Sequence, residues 1–208
     1  MKILYQGSPG AYSHMAALEV YPNAKIISCK TFDECFSKAI EDEKVRIIIP
    51  ESNRITGNIG VEYLIFKYRL NIYAEHFHPV QHNLLGLPGS KTKDIKHVFS
   101  HAQALSQSSS FIKKNKLIEN VRADTAGSAA YIASNKKRDE AAIASKLSAK
   151  IYNLDILEFN IENEKGNVTR FLIMGKLTLQ PELEEKKYIT SFLFKLKDKP
   201  AALYSALS

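Results

Sequence analysis

Short apolar runs alternate with amphipathic stretches along most of the chain, and each kind has its own period. Apolar runs at 45–49 and 141–144 are typical of buried parallel strands. The stretch at 31–41 has helical spacing and opens with Thr31 and Glu34, as in a capping box. The pattern predicts strands at 2–6, 25–29, 45–49, 97–99, 121–123, 141–144, 156–161 and 171–177. It predicts an extended segment at 71–87 and helices at 13–21, 31–41, 57–68, 100–114, 125–134 and 146–152.

The regular alternation of strands and helices indicates an α/β fold with mostly parallel sheets. The strand–helix series occurs twice, once before and once after the turn Pro88-Gly89-Ser90. Two such series predict two lobes with a cleft between them. The extended segments near 72–84 and 156–172 are the predicted hinges.

The sequence changes character after residue 180. Residues 181–187 are charged and poor in apolar side chains, which predicts a linker. Residues 188–197 alternate as a strand does, and the segment after Pro200 is typical of a turn entering a helix. The chain stops at Ser208. We therefore expect a second domain that begins at about residue 188 and is incomplete.

Composition narrows the class of protein. The chain has 208 residues, of which 45% are hydrophobic and 25% charged, as in ordinary globular proteins. No apolar run is long enough to span a bilayer, and the N-terminus turns polar too early for a secretory signal. With no export signal, Cys29 and Cys35 predict reduced thiols and a cytoplasmic protein.

The net charge of +7 favours either nucleic acid or an acidic small molecule as the partner. The lysine-rich clusters at 113–116 and 136–138 follow helical patterns and predict solvated surface. Neither cluster has interleaved aromatic residues, and no nucleic-acid-binding motif is present. We expect no nucleic-acid or membrane partner.

Four polar loops follow predicted strands, and each leads into a predicted helix. In open α/β sheets ligands gather at the carboxyl ends of parallel strands, where helix N-termini offer unpaired N–H groups to anions. The third loop, Ser100-His101-Ala102-Gln103, also has the spacing of a capping box. The four loops occupy 7–14, 50–57, 100–103 and 124–128.

Competing kinds of site lack their motifs. Gly7 and Gly10 lack the third glycine of a dinucleotide fingerprint, and no phosphate-binding loop is present. The cysteine spacing does not suit a structural zinc site. His76 and His78 share a strand face, but we interpret them and His82 as interlobe or surface histidines and expect no metal or cofactor.

The run Asn167-Val168-Thr169-Arg170-Phe171 places a hydroxyl, a guanidinium and an aromatic ring at the start of a predicted strand. Arginine grips carboxylates through paired hydrogen bonds, and a hydroxyl can contact a reacting oxygen. These groups suit a small, anionic, six-membered-ring substrate. We expect Thr169 and Arg170 to lie in the cleft and to flank the substrate on opposite sides.

Along nearly its whole length the chain resembles prephenate dehydratase, especially the alphaproteobacterial type. Besides 167–171, the matching stretches are Gln6-Gly7-Ser8-Pro9-Gly10-Ala11-Tyr12-Ser13, Tyr73-Ala74-Glu75-His76-Phe77, His82-Asn83-Leu84-Leu85-Gly86, Ser100-His101-Ala102-Gln103-Ala104-Leu105-Ser106-Gln107, Asp124-Thr125-Ala126-Gly127 and Ala141-Ala142-Ile143-Ala144-Ser145. The resemblance implies two α/β lobes similar to the type II periplasmic-binding-protein fold, with the active site in the interlobe cleft.

The resemblance also implies an activity. Prephenate would lose carbon dioxide and its ring hydroxyl together, giving phenylpyruvate for phenylalanine biosynthesis without a cofactor. Thr169 would assist the departing hydroxyl, and Arg170 would pair with a substrate carboxylate. Phe171 would pack against the ring of the substrate. The substrate contacts implied in addition are Asn53, Ser100, Gln107, Thr125 and Asn167.

The domain boundaries follow from the resemblance and the pattern together. A catalytic domain is expected at 1–180, with lobe 1 at about 1–75 plus 170–180 and lobe 2 at about 76–169. Residues 188–208 resemble the start of the regulatory ACT domain, with Pro200-Ala201-Ala202-Leu203 in place of the family's Pro-Gly-Ala-Leu turn. A complete ACT domain would bind phenylalanine as an allosteric effector and help build a homo-oligomer.

One loop departs from the family pattern. Ser52 stands where the family has Glu, and Arg54 stands where it has Ser. We interpret this as rearranged loop contacts with activity kept, because loops tolerate change. Two alternatives to a prephenate dehydratase remain: an arogenate dehydratase, and a non-catalytic two-lobed protein that binds or senses a carboxylate.

Overall fold

The computed structural model describes residues 1–178. Its strands are β1 (Lys2–Gln6), β2 (Lys25–Cys29), β3 (Val45–Asn53), β4 (Gly57–Asn58), β5 (Asn71–Pro79), β6 (Asn83–Gly86), β7 (His97–Ser100), β8 (Ile118–Val121), β9 (Glu140–Ala144), β10 (Asp155–Glu158) and β11 (Val168–Gly175). Its helices are α1 (Tyr12–Val20), α2 (Phe32–Glu41), α3 (Glu62–Tyr68), α4 (Ala102–Gln107), α5 (Ser109–Lys114), α6 (Thr125–Asn135) and α7 (Lys146–Tyr152), with a short 3₁₀ turn at Thr92–Asp94. None of these helices is long and apolar enough to cross a membrane.

The strands form two sheets of the same design. One has the order β2-β1-β3-β11-β5, with β4 beside β3, and the other has the order β10-β6-β9-β7-β8. In the first sheet only β11 and the short β4 oppose the common direction, and in the second only β6 does. The expected α/β fold with two mostly parallel sheets is confirmed.

The chain passes between the sheets twice, and this creates the two lobes. After β5 it enters the second sheet through Val80–His82, and after β10 it returns through residues 159–167 to form β11. Both crossings fall within the predicted hinges. Because β11 lies between β3 and β5, the last described strand completes the first lobe.

Each sheet is covered by helices on both faces. In the first lobe, one apolar cluster joins Phe36 to Ile47 and Leu172, and another joins Tyr5 to Ile48 and Phe171. This packing explains the predicted runs: residues 47–49 of β3 and 141–144 of β9 are buried on both faces of their sheets, so these side chains are apolar without alternation.

Several predicted boundaries shift. The 57–68 helix begins only at Glu62, since Gly57 belongs to the short strand β4 and both Gly57 and Gly60 adopt a positive φ. The 100–114 helix is broken at Ser108 into α4 and α5. The second strand of the second series is β8 at Ile118–Val121, not 121–123, because this edge strand exposes both Ile118 and Val121 and lacks an apolar run.

Of the two helix N-caps that the sequence predicts, one is confirmed and one is wrong. Thr31 caps α2 by accepting a hydrogen bond from the Glu34 N–H at 3.1 Å, as expected. The capping box expected at Ser100 is wrong: Ser100 is fully buried at the end of β7 and donates to the Ile143 carbonyl at 2.6 Å. His101 caps α4 instead, its Nδ1 accepting from the Gln103 N–H at 3.3 Å.

The loop after β1 is fastened to the second lobe. The Gly10 carbonyl accepts hydrogen bonds from Ser145 at 2.6 Å and from Ser148 at 3.0 Å, and the Tyr152 hydroxyl donates to the Pro9 carbonyl at 2.9 Å. Gly10 has φ +95°, and an added Cβ would lie 2.5 Å from Ser148 Oγ and 2.8 Å from its Cα. Only glycine allows the lobes to approach this closely.

Gly10→Ala is predicted to destabilise the protein by about 2–4 kcal/mol, because the new methyl group meets the Ser148 backbone as well as an unfavourable φ. Gly60→Ala is the matched control, since Gly60 has φ +82° and open space around its Cβ position, so about 1 kcal/mol is expected there. Urea unfolding of both variants measures the difference. Equal losses would show that contact with Ser148 has no cost.

Candidate functional site

The polar groups of the first lobe gather where β1 and β3 end and β11 begins. Thr169 lies opposite Asn53 in the ladder between β11 and β3. The register slips once in this ladder, with Pro50 paired to Phe171 and Ser52 paired to Arg170. The extra residue, Glu51, makes a bulge that accommodates a proline without an N–H donor and aims the end of β3.

The orientation of the Asn53 amide is fixed by the backbone. Its Oδ1 accepts hydrogen bonds from the N–H groups of Ile55 at 3.0 Å and Thr56 at 3.1 Å. Backbone N–H groups can only donate, so the oxygen must face them and Nδ2 must face the other way. Nδ2 donates to Asn167 Oδ1 at 2.7 Å and to Thr169 Oγ1 at 2.9 Å.

This polarity determines what the Thr169 hydroxyl can do. Oγ1 accepts from Asn53, so its lone pair is engaged and its proton points elsewhere. Within residues 1–178 no acceptor takes that proton. Thr169 is 7% exposed, so the hydroxyl is nearly desolvated. The site therefore presents one oriented hydrogen-bond donor to a bound molecule.

The chain of amides continues across the lobes. Asn167 Nδ2 donates to Gln107 Oε1 at 3.1 Å, and His82 Nε2 lies 2.8 Å from the same oxygen. An amide oxygen only accepts, so His82 carries its proton on Nε2. His82 Nδ1 is then an acceptor. The Tyr12 hydroxyl lies 2.9 Å from it but donates its single proton to the Gln81 carbonyl at 2.7 Å. The assigned polarity runs from Asn53 to His82, and Tyr12 closes the far end of the chain by contact.

Burial keeps His82 and Tyr12 neutral. Desolvation lowers the pKa of His82 below its usual 6.5, against the opposing effects of Gln107 and Glu162. Burial, with a smaller contribution from the negative charge of Glu162, raises the pKa of Tyr12. The Glu162 carboxylate also accepts the His82 backbone N–H at 3.0 Å. His82 is thus positioned as a neutral link between the two crossings.

Arg170 does not lie where the sequence predicted. Consecutive strand residues point to opposite faces, so Arg170 faces away from Thr169. Its Nε donates to Glu75 at 2.7 Å and one terminal nitrogen donates to Glu51 at 3.3 Å. The expectation that Thr169 and Arg170 flank one substrate is wrong. The sequence showed adjacent residues, but β11 begins at Val168, which puts both inside the strand.

The other predicted substrate contacts differ in their exposure and in whether their polar groups are already hydrogen-bonded. Phe171 is 1% exposed and packs in the first lobe's core, so its ring does not line an open surface. Ser100 uses its proton on Ile143, as described above. Thr125 is half-buried at the first turn of α6, where Asp124 Oδ1 accepts from the Gly127 N–H at 2.6 Å. Asn53, Gln107, Asn167 and Thr169 are brought together.

The loop that differs from the family pattern at Ser52 and Arg54 places Arg54 beside the cluster of Asn53, Gln107, Asn167 and Thr169. Its backbone N–H donates to the Val168 carbonyl at 2.9 Å, and its guanidinium donates to the Gly166 carbonyl at 3.3 Å. Arg54 is exposed, and no carboxylate of residues 1–178 lies within ion-pair distance of it. Of the two arginines near Thr169, Arg170 is thus neutralised by carboxylates and Arg54 is not.

The histidine pair on β5 has a structural partner. Glu19 on α1 lies 2.9 Å from His76 Nε2 and 2.9 Å from His78 Nδ1. Partial burial opposes ionisation of this carboxyl, yet hydrogen bonds from His78 and His76 lower its pKa overall. These three groups could hold a metal ion, but the second ring nitrogen of His78 is buried without a partner, unlike the supported ligands of stable metal centres. His76 and His78 tie α1 to its own sheet and do not lie between the lobes.

Tyr12 and His82 are the residues that sequence reasoning missed as site members. Both stand in stretches that the sequence singled out, but nothing in their spacing links them to Gln107. They are 70 residues apart in the chain and meet only because the first crossing passes over the start of α1. The one weak signal in the sequence for a site role of His82 was its position directly before the buried strand β6.

Comparison with known proteins gives a family match over nearly all described residues. The family model for prephenate dehydratase matches residues 3–178. "Arogenate dehydratase/prephenate dehydratase 1, chloroplastic" of Arabidopsis thaliana is 42% identical over 211 residues, covering 100% of this chain and 53% of the relative. "Arogenate dehydratase 2" of Petunia hybrida is 38% identical over 210 residues, with coverages of 100% and 53%. The chain spans about half the length of the curated relatives it matches.

Solved structures share the fold. The prephenate dehydratase of Arthrobacter aurescens, solved in complex with L-Phe, has a TM-score of 0.86 at 22% identity, covering 100% of this chain and 71% of that one. A protein described as GqqA, a novel type of quorum quenching acylase, has a TM-score of 0.83 at 29% identity, with coverages of 100% and 76%. The first likeness concerns the fold alone.

The lowered pKa of His82 predicts a pH dependence of stability. Between the native pKa and 6.5 the unfolded chain binds a proton that native His82 resists, so this contribution to stability is lost as the pH falls below about 6.5. His82→Gln removes this contribution, and urea unfolding at several pH values should show a shallower slope than in the wild type. Burial also lowers the pKa of His14, so the variant keeps the pH dependence of stability that His14 contributes. An unchanged slope would contradict the assignment.

Proposed function

Because the chain belongs to the prephenate dehydratase family, we propose that it catalyses the decarboxylating dehydration of prephenate to phenylpyruvate, a step of phenylalanine biosynthesis. The single observation that carries the proposal is the Thr169 hydroxyl, which Asn53 holds as a donor with no acceptor among residues 1–178. A protein that only bound a carboxylate would not need such a donor. The relatives are about twice as long, so the proposal concerns the residues that this chain contributes.

The chemistry needs one well-placed donor. The bond between the ring and its carboxylate breaks, its electron pair flows through the ring, and the C–O bond at the opposite ring position breaks. Carbon dioxide leaves from one end and hydroxide, which takes up a proton, leaves as water from the other. The aromatic ring that forms drives the reaction, and the difficult element is the departure of hydroxide.

Thr169 serves that departure by hydrogen bonding. A threonine hydroxyl is a weak acid, so it stabilises the charge developing on the leaving oxygen more than it transfers a proton. Such a donor acts strongly where water is excluded and the donor is already oriented. Asn53 supplies the orientation, Asn167 and Gln107 hold Asn53 across the lobes, and His82 with Tyr12 completes the chain.

The substrate's negative charges need favourable surroundings. The loop from Gly7 leads into α1, so N–H groups of that helix start lie at the carboxyl end of β1. We propose this loop as a carboxylate-binding element. We propose Thr125 as a further contact at the first turn of α6, whose own start is capped by the Asp124 carboxylate. No carboxylate-clamping role is proposed for Arg170, whose hydrogen bonds go to Glu51 and Glu75.

Regulation by phenylalanine is a separate proposal. The ACT-like segment at 188–208 and the linker at 181–187 lie outside the described residues. The Arthrobacter aurescens prephenate dehydratase was solved with L-Phe, which supports an effector role for phenylalanine where a complete regulatory domain is present.

Thr169→Val tests the donor, because valine keeps the shape and loses the hydroxyl. The turnover number with prephenate should fall by about 10²–10⁴-fold, the range for assisted proton donation, while KM changes little. Thr169→Ser is the control and should retain most of the activity. Phenylpyruvate is measured by its absorbance in alkali. A fully active Thr169→Val enzyme would remove Thr169 from the mechanism.

Asn53→Asp tests the polarity of the amide chain without changing its size. A carboxylate cannot donate, so the Thr169 hydroxyl would turn its proton toward the new acceptor and away from the substrate. The turnover number should fall by about 10²-fold or more, as when an oriented donor is removed. Asn120→Asp makes the same change on β8, away from the site, and should leave the activity intact. Equal activities would mean that the orientation of Thr169 does not depend on Asn53.

Arogenate is the second candidate substrate, favoured by the names of the relatives in both plants. It undergoes the same elimination, and differs in carrying an amino group where prephenate has a ketone. The choice between these substrates depends on charges at the edge of the site.

A further inference from the structure

We propose that Arg54 makes this site selective for prephenate over arogenate. The inference rests on the proposed function and concerns which of two closely similar acids the site accepts. Prephenate carries two carboxylates and no cation, so its net charge is −2 at neutral pH. Arogenate carries the same two carboxylates and an ammonium group, so its net charge is −1. A fixed cation near the site therefore favours the first.

Arg54 is fixed in place by its backbone. It directly follows Asn53, and its N–H donates to the Val168 carbonyl at 2.9 Å, so it is held beside the residue that precedes Thr169. Its guanidinium reaches the Gly166 carbonyl at 3.3 Å, which places the charge over the turn that leads into Asn167. The cation is thus part of the same junction that orients the Thr169 hydroxyl.

Gly166 leaves room for this guanidinium. An added Cβ at Gly166 would lie 3.0 Å from a terminal nitrogen of Arg54, and Gly166 has φ +79°, which disfavours other residues. The close approach lets the side chain lie against the turn instead of extending into solvent. The contact is with a carbonyl oxygen, which satisfies one donor and leaves the positive charge in place.

The charge of Arg54 has no internal partner among residues 1–178. The nearby carboxylate of Glu51 pairs with Arg170 on the other side of the strand. A cation that is already ion-paired contributes little net field, whereas Arg54 acts on whatever anion enters. The ammonium group of arogenate, which accounts for its smaller net negative charge, is repelled by Arg54.

Arg54→Ser removes this charge, and Arg54→Lys keeps it. In the wild type, kcat/KM should be higher for prephenate than for arogenate, and Arg54→Ser should reduce that ratio by about two- to fivefold, the size expected of one exposed charge. The change should appear mainly in KM for prephenate, with kcat nearly constant, since Arg54 does not contact the leaving group. Arg54→Lys should retain most of the ratio. Thermal unfolding checks that each variant is folded, as expected for an exposed side chain.

Arg138→Ser is the matched control. Arg138 is also exposed and donates to a carbonyl, that of Pro88 at 3.2 Å, but it precedes β9 and so lies at the opposite end of its sheet from the site. Its loss changes the net charge by the same amount and should leave the ratio unaltered. Raising the salt concentration to about 0.5 M should lower the wild-type ratio toward that of Arg54→Ser, because ions screen an exposed charge.

Calorimetric binding of each acid separates failure of the inference from failure of the proposed function. If the wild type turns over neither acid, the proposed function fails, and weaker prephenate binding by Arg54→Ser still supports a selective cation. If the wild type is active but prefers arogenate, or if Arg54→Ser leaves both the kinetic ratio and the binding ratio unchanged, the inference is overturned. An equal effect of Arg138→Ser would overturn it as well, by showing that only net charge matters.

Discussion

The structure of the candidate site depends on how one amide is held. Two backbone N–H groups, from Ile55 and Thr56, bind the Asn53 oxygen and so force its nitrogen toward Thr169 and Asn167. Every later assignment follows from that direction, because amide oxygens accept and amide nitrogens donate. The free Thr169 proton and the Nε2–H form of His82 are both consequences of a tight turn after β3. Hydrogen-bond polarity, more than the identity of any one residue, makes this a chemical site.

The same chain of hydrogen bonds connects the site to the architecture. Asn167 and His82 belong to the two crossings between the lobes, and Gln107 ends α4 in the second lobe. The site thus forms only when both lobes and both crossings are in place. The hydrogen bonds from Ser145 and Ser148 to the Gly10 carbonyl lie at the same edge of the sheets, and they form because Gly10 has no side chain to separate the lobes. Stability and site geometry are therefore linked through a few interlobe contacts.

The two arginines near Thr169 illustrate how environment decides the use of a charge. Arg170 is adjacent to Thr169 in sequence, but strand alternation turns it toward Glu51 and Glu75, where it stabilises the far face of the sheet. Arg54 is distant in sequence, but the ladder between β3 and β11 brings it next to Val168. A departure from the family pattern at one loop position thus supplies a cation that the conventional motif does not.

The sequence by itself determined the class of fold, the two-lobed series, the position of the crossings and the cluster that contains Asn53, Asn167, Thr169 and Gln107. It could do so because buried strands and capped helices leave local patterns, and because the family motifs are spread along the whole chain. The tertiary structure decided the rest: the start of β11, and hence the faces of Thr169 and Arg170; the burial of Ser100 and Phe171; and the link from Gln107 through His82 to Tyr12. These depend on strand register and on contacts between distant segments. A shift of one residue in a strand reverses the face of every side chain, and no local pattern records it.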